Sequence, residues 1–424
     1  MTDGSESDRT NRTSTITDEG SDSRRLTTRD RRAFLAALGG GSATAMAGCL
    51  ESFGGGGGST PDSVDIGMTG PQSGWAASLA TSFIGGVKAW VEFQDGQYKD
   101  ATINLDIRDN QSEADRASRV SSQFVQNNKD IVISAFVTSL TRAAAPPCEQ
   151  AGVPHLSLGS ALPALHQEFD TLVQSLTPQY RDDTVDLVAT NDNIESKKVA
   201  AWSVDGDVMR YAHETMLNRI EEHDNLELVY ETLHPFDQED YSSMALKAEN
   251  NGADVLLMAN YIQHFIPSMR GVEESAWEPE FVSNVIGGTS QAYQQLGQTL
   301  EGTVIDSTWH PSMDTPQTEE FEQYFNQVTP SGVLADYQGA TGWAAMQVLA
   351  KAFDEEIDVT DSDAFLEWLH EASVETVSGT WEVDDGGVQT GIGWKLTQWQ
   401  GTNQPIVYPE EYKIADVIYP KPWS

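Results

Sequence analysis

Short apolar runs alternate with amphipathic segments at a steady rhythm along this chain, and that rhythm leaves few folds open. Val64, Ile66 and Met68 are spaced as in a buried strand, and the apolar residues that follow, Leu79, Phe83, Val87, Trp90 and Val91, recur by three and four as on one helix face. The pattern then repeats: strand 103–108, helix 114–124, strand 131–133, helix 142–151, strand 155–158. A second set follows, with strands at 199–202, 226–230 and 255–258 and helices at 209–220 and 241–250. Strands that return through helices pair in parallel and bury both sheet faces, so the alternation predicts an α/β fold with doubly wound parallel sheets. Two sets predict two lobes, which also suits a stretch longer than one core usually organises.

Open parallel sheets take ligands outside the carboxyl ends of their strands. In this chain those ends lead into loops 69–75, 136–141, 159–161, 203–207 and 260–263. The second carries the hydroxyls of Thr138, Ser139 and Thr141 just ahead of a helix. Hydroxyls and free amides at a helix N-terminus suit an anionic group; ordinary capping by Ser139 or Thr141 explains the same residues equally well.

The first 60 residues do not share the rhythm. Arg31-Arg32-Ala33-Phe34-Leu35, an apolar run over 36–47 and Met46-Ala47-Gly48-Cys49 resemble a twin-arginine export signal closed by a lipobox. A Gly39-Gly40-Gly41 break and the shortness of the run argue against a membrane-spanning helix. Asp30 stands where the usual signal has Ser or Thr. The expected product is exported, begins at a lipid-bearing Cys49 and is tethered to the outer face of the cell membrane by the flexible run Gly54 to Gly58.

The 65 acidic residues against 25 basic ones give a net charge of -40, spread along the whole chain. Scattered acids of this kind suit a folded surface in very salty surroundings, where ions screen self-repulsion. Nucleic acid is excluded as a partner, because phosphate neutralisation needs basic stripes that the chain lacks. With Cys49 assigned to lipid, Cys148 has no intrachain partner and reads as a buried thiol.

Ile66-Gly67-Met68-Thr69-Gly70-Pro71-Gln72-Ser73-Gly74, Asp109-Asn110-Gln111, Ala151-Gly152-Val153-Pro154 and Ser157-Leu158-Gly159-Ser160 occur in a telling order. Asp240-Tyr241-Ser242, Ala253-Asp254-Val255, Glu301-Gly302 and Tyr419-Pro420-Lys421-Pro422-Trp423 continue it. Together they resemble the type I periplasmic binding proteins of branched-chain or hydrophobic amino acid and amide uptake. The resemblance implies two lobes joined by a three-crossing hinge, with 1–49 as signal, 50–62 as tether, 63–178 and 308–378 as the first lobe, 179–307 and 379–405 as the second, and 406–424 as a C-terminal tail. It implies a monomer that captures a small solute and hands it to an ABC permease with its ATPase subunits, without cofactor, metal or catalysis. A ligand-binding sensor is the alternative.

Carried over residue by residue, the resemblance places Thr138, Ser139, Gly159, Ser160 and Ala161 on the ligand's carboxylate. It lays Trp75 and Tyr261 over the ligand from opposite lobes and Tyr180 near the first crossing. For Trp75 and Tyr261, core packing is the competing explanation. Amino-acid binders of the family grip the ligand ammonium with an acid after strand 281–283, where this chain reads Asn284-Val285-Ile286-Gly287-Gly288. A buried ammonium without counter-charge is costly, so an amide, a urea-like solute or a simple carboxylate fits better, unless Asp205 or Asp207 serves instead.

Enzyme signatures stop short. His213-Glu214 opens like a zincin helix, but Leu217 stands where the second histidine belongs, and Gly288-Thr289-Ser290 lacks the closing glycine of a nucleophile elbow at Ala292. His155, His166, His264 and His310 stand isolated and read as surface or satisfied core residues.

Overall fold

Both sheets follow from strands whose residues are apolar on each face. The computed structural model describes residues 61–423 apart from 195 and 196, so the expected signal, Arg31, Arg32 and Cys49 lie outside the described residues. In the first lobe, β1 (Ser63–Gly70), β3 (Ala101–Asp109), β4 (Ile131–Ser134), β5 (His155–Ser157) and β6 (Leu172–Gln174) pair in parallel, with the short β2 (Gln97–Tyr98) antiparallel on the β3 edge. The order β2-β3-β1-β4-β5-β6 turns outward in both directions from β1 and β4. Helices α1 (Ala77–Phe93), α2 (Ala114–Gln126) and α3 (Thr138–Ala151) connect them, and the one-turn α4 (Pro163–His166) precedes β6.

The second sheet runs β15-β14-β11-β10-β9-β7-β8. Its parallel members are β7 (Lys198–Val204), β8 (Glu227–His234), β9 (Val255–Ala259), β10 (Phe281–Asn284) and β11 (Thr303–Ser307). They are linked through α6 (Asp207–Glu221), α7 (Ser242–Asn250), α8 (Ile262–Ser275) and α9 (Ser290–Leu296), and α5 (Asp182–Thr190) leads into β7. Two antiparallel strands, β14 (Lys395–Gln398) and β15 (Ile406–Tyr408), close the edge beside β11. The predicted pair of doubly wound α/β lobes is the fold observed.

The chain departs from the expected limits at three points. Gly379–Trp381 pairs with Val374–Thr376 in a separate hairpin, β12–β13, and does not enter the second sheet; Gly387 O and Gln389 N instead bond Gln174 of β6. The return to the second lobe therefore comes at Lys395, later than expected from 379. Ile406–Tyr408, expected within a tail, is an edge strand held by β14. Helix α3 begins at Thr138, a full turn before the expected 142, which draws the hydroxyl-rich loop into the helix itself.

Between the lobes the first crossing runs over 175–181, the second over 308–317 and the third over 382–394. The first is tied to the third and to the second sheet. Trp394 Nε1 donates to Pro178 O at 2.7 Å, while the fully buried Arg181 pairs with Asp306 at the end of β11 and donates to Ser283 Oγ at 2.8 Å. Helix α11 (Tyr337–Asp354), which follows α10 (Thr318–Val328) within the stretch 308–378 expected on the first lobe, packs against α1. The contact is backbone to backbone: a Cβ on Gly86 would stand 1.9 Å from Gly339 O, and one on Gly342 would stand 2.3 Å from Phe83 O.

Candidate ligand cleft

Strand order fixes where a ligand belongs. In the first sheet the chain turns away on both sides between β1 and β4; in the second it does so between β7 and β9. Crevices at such switch points, outside the carboxyl ends of the strands, are the ligand positions of open α/β sheets. The four loops at these ends are 71–76, 135–137, 205–206 and 260–261. They carry or directly precede Trp75, Phe136, Thr138 and Tyr261.

On the first lobe, Thr138 opens α3 and is buried, and Ser160 Oγ donates to its hydroxyl at 3.3 Å. Ser160 is pinned from behind, because its carbonyl accepts from Gln174 Nε2 of β6 at 2.9 Å. Ala161 is buried and its carbonyl accepts from Gln179 N, tying this loop to the first crossing. Gly159 has to be glycine: a Cβ there would meet Phe136 Cδ2 at 2.6 Å and Ala135 O at 2.7 Å. Val137 stands at the N-cap of α3 and no side chain caps the helix, so neither Ser139 nor Thr141 takes the capping role. The first-turn amides of α3 thus have no intrahelical acceptor. Ser139, expected among the ligand contacts, is exposed. The one-residue step from Thr138 rotates it about 100° around the helix axis, away from Ser160.

Aromatic rings from both lobes meet over this floor. Trp75 lies 5.8 Å from Tyr261 and 5.2 Å from Phe236, edge to face in each case, and Phe136 stands 6.4 Å from Tyr261. Phe83 stacks on Phe136 at 5.7 Å and extends the row inward. Tyr261 is buried, which with the nearby negative charge of Asp207 pushes its hydroxyl well above the usual tyrosine range. Trp75 and Phe236 stay part-exposed at 38% and 44%, so they form the rim. His264 holds Phe236 in place through its carbonyl at 2.8 Å, and burial lowers the pKa of that imidazole. Neither Phe136 nor Phe236 was expected from sequence; both sit in loops directly after strands, which was the available signal.

Tyr180 does not join the group. It is exposed at the first crossing, 5.8 Å from Tyr211 of α6. The acid question also resolves into geometry. Asn284 is consumed by the frame, accepting from Asn260 N and donating to the carbonyls of Asn260 and Ile286. Asp205 is exposed and ion-paired with Arg210, and Asp207 is exposed on the first turn of α6. Of the four histidines, His155, His166 and His264 are core residues, each with one ring nitrogen unpaired.

A cavity of about 260 Å³ opens between the lobes, lined by Ser78, Leu79 and Ser82 of α1 and by Gly288 and Ser290 beside α9, with Asp336 and Gln338 at the head of α11. It adjoins a second space of about 530 Å³ that shares Gly288, Leu334 and Asp336. Two α/β lobes, three crossings and an interlobe cleft define a bilobal solute-binding protein. Residues 63–404 match the periplasmic binding protein family, and the chain belongs to it. A relative from Brucella abortus (strain 2308), Leu/Ile/Val-binding protein homolog 7, is 23% identical over 400 residues, covering 86% of this chain and 96% of that protein. The leucine binding protein LivK from Thermotoga maritima shares the fold with a TM-score of 0.72 at 15% identity, covering 81% of this chain and 97% of its own. A solute binding protein of an ABC transporter from R. palustris, solved with 4-hydroxybenzoate, also gives 0.72, at 16% identity and coverages of 85% and 98%.

Proposed function

We propose that this protein captures a small organic solute between its lobes outside the cytoplasm and delivers it to an ABC permease, without chemistry on the solute. The observation that carries the reading is the meeting of Trp75 and Tyr261 from opposite lobes above the Thr138–Ser160 floor. An acceptor group of the solute, a carboxylate or carbonyl, sits against Thr138, Ser160 and the first-turn amides of α3, with the loop of Gly159 and Ala161 behind it. Its apolar body lies against Trp75, Phe136, Phe236 and Tyr261. A leucine binding protein and a solute binding protein solved with 4-hydroxybenzoate, both of this fold, suit such a split between polar end and apolar body. The absence of an acid over 284–288 favours solutes without an ammonium group there.

Delivery follows from hinge closure, which presents both lobes together to the permease. The Met46-Ala47-Gly48-Cys49 box supports a lipid anchor at Cys49, reached through export directed by Arg31 and Arg32. A thermal-shift screen of carboxylates, amides and amino acids in molar salt tests the binding role, since a solute bound only by the folded state raises the melting point. Calorimetry on any hit then compares Thr138→Val, expected to cost about 1–3 kcal/mol when the solute's acceptor loses its donor. Turnover of a bound solute overturns the proposal. Cys49→Ser is expected to leave the membrane fraction, and normal trimming and retention of that variant refute the anchor.

A further inference from the structure

The interlobe cavity has a polar wall at the head of α11, apart from the Thr138–Ser160 floor. Asp336 caps α11 by accepting from Gly339 N at 2.9 Å, and its other oxygen accepts from Ser82 Oγ at 2.8 Å. These donors, like Gln338 N, are neutral, so the half-buried carboxyl has no cation beside it, and desolvation pushes it up to about 6. A carboxylate has about four acceptor positions, so it keeps capacity to spare. Two residues on, Gln338 is 2% exposed and its Nε2 makes no hydrogen bond. Both side chains line the same cavity, facing Gly288 of the opposite lobe. Gly288 belongs to the segment in which the acid of amino-acid binders is missing.

An acceptor with spare lone pairs and a buried donor without a partner, side by side on one wall, are the complement of a carboxamide. That group offers N–H to the acceptor and C=O to the donor at once. A carboxylate would set negative charge against Asp336, and an ammonium would leave the Gln338 amide unmatched. We infer that Asp336 and Gln338 form a carboxamide-reading wall of this cavity, so that the transported solute carries an amide group. This inference rests on the solute-binding reading and narrows its substrate class.

The test is a matched series on the full mature chain in molar potassium chloride: 4-carbamoylbenzoate, terephthalate, 4-(aminomethyl)benzoate and 4-methylbenzoate, with glutaramate, glutarate and pentanoate as the aliphatic set. The carbamoyl members are expected to bind at least tenfold more tightly than their partners. Asp336→Ser keeps an N-cap hydroxyl for α11; it and Gln338→Leu are expected to erase that preference, so that 4-carbamoylbenzoate binds no more tightly than 4-methylbenzoate. Equal binding across a series, preference for the aminomethyl member, or equal weakening of every member by Asp336→Ser overturns the carboxamide wall and leaves the binding role intact. Hits confined to solutes without an amide do the same. A folded protein that binds no solute in the series or the wider screen removes both readings.

Discussion

Replacing Arg181 with Met opens the buried ion pair that ties the first crossing to β11, and its cost can be worked from the contacts. Both partners are out of water, at 0% and 2% exposure, so the pair stands beyond the reach of solvent screening. Arg181→Met removes the bond to Asp306 and the 2.8 Å bond to Ser283 Oγ. It leaves the Asp306 carboxylate with Gln179 Nε2 at 2.9 Å and Thr184 Oγ1 at 3.4 Å, both neutral. Burial already raises the Asp306 pKa, and the guanidinium is the charge that opposes this. Breaking one side of such a pair costs about 3–5 kcal/mol, and two surviving neutral donors put the expectation near ~3 kcal/mol. Urea unfolding in molar potassium chloride measures it, and the same loss is expected at half that salt because the pair is buried. Adding Asp306→Asn to Arg181→Met removes the stranded charge and is expected to restore about half of the loss. A loss under ~1 kcal/mol, or one that vanishes with salt, refutes the reasoning.

Other sites give sharper contrasts. Gly86→Ala forces α1 and α11 apart, because its Cβ would stand 1.9 Å from Gly339 O and neither backbone can yield; a loss of about 1–3 kcal/mol or more is expected. Gly393→Ala, with nothing within 4 Å, is the matched control and should stay within ~0.5 kcal/mol of wild type in the same denaturation. His155 is fully buried, and burial first, then the neighbouring His166, lowers its pKa from 6.5 to about 3. Below pH 6.5 the unfolded chain takes a proton that the folded state refuses. Its contribution to stability is therefore complete above pH 6.5 and falls with pH by about 1.4 kcal/mol per unit; His155→Gln should make the slope between pH 6.5 and 4 shallower by that amount in paired urea titrations. Trp75→Ala deletes the edge-to-face contacts with Phe236 and Tyr261 across the lobes, and about 0.5–1.5 kcal/mol per pair should reappear as a more open average shape in X-ray scattering of the solute-loaded protein.

The two lobes were legible in the sequence because their parallel strands are buried on both faces. Val64, Ile66 and Met68, like the whole of β9, have no solvent side to blur the pattern. The α1 face was equally plain, since Leu79, Phe83, Val87 and Trp90 recur at helical spacing and are all buried. Helix starts were less so. Three hydroxyls in four residues, Thr138, Ser139 and Thr141, look interchangeable until the first turn is fixed, and only the start at Thr138 decides that Thr138 faces Ser160 while Ser139 faces water. The Gly86, Gly339 and Gly342 contact joins helices some 250 positions apart, and the Arg181–Asp306 pair spans 125. No local pattern records such meetings.

Asp336 shows why a site can be half visible. An acid just before an amphipathic run signals an N-cap, and it does cap α11 through Gly339 N. The same carboxylate also faces the cavity, and nothing in the local pattern distinguishes a cap in contact with water from one beside a ligand. What separates them is the path of the opposite lobe, which brings Gly288 to the same space and leaves the Gln338 amide without a partner. Topology thus nominates loops at strand carboxyl ends, and Trp75, Thr138 and Tyr261 were reachable by that rule. Asp336 stands at the head of a helix that follows no strand of either sheet, so the rule passes over it. A binding cleft built from two lobes draws its polar wall from the segments that close the hinge as well as from the strand ends, and those segments become readable only once the crossings are in place.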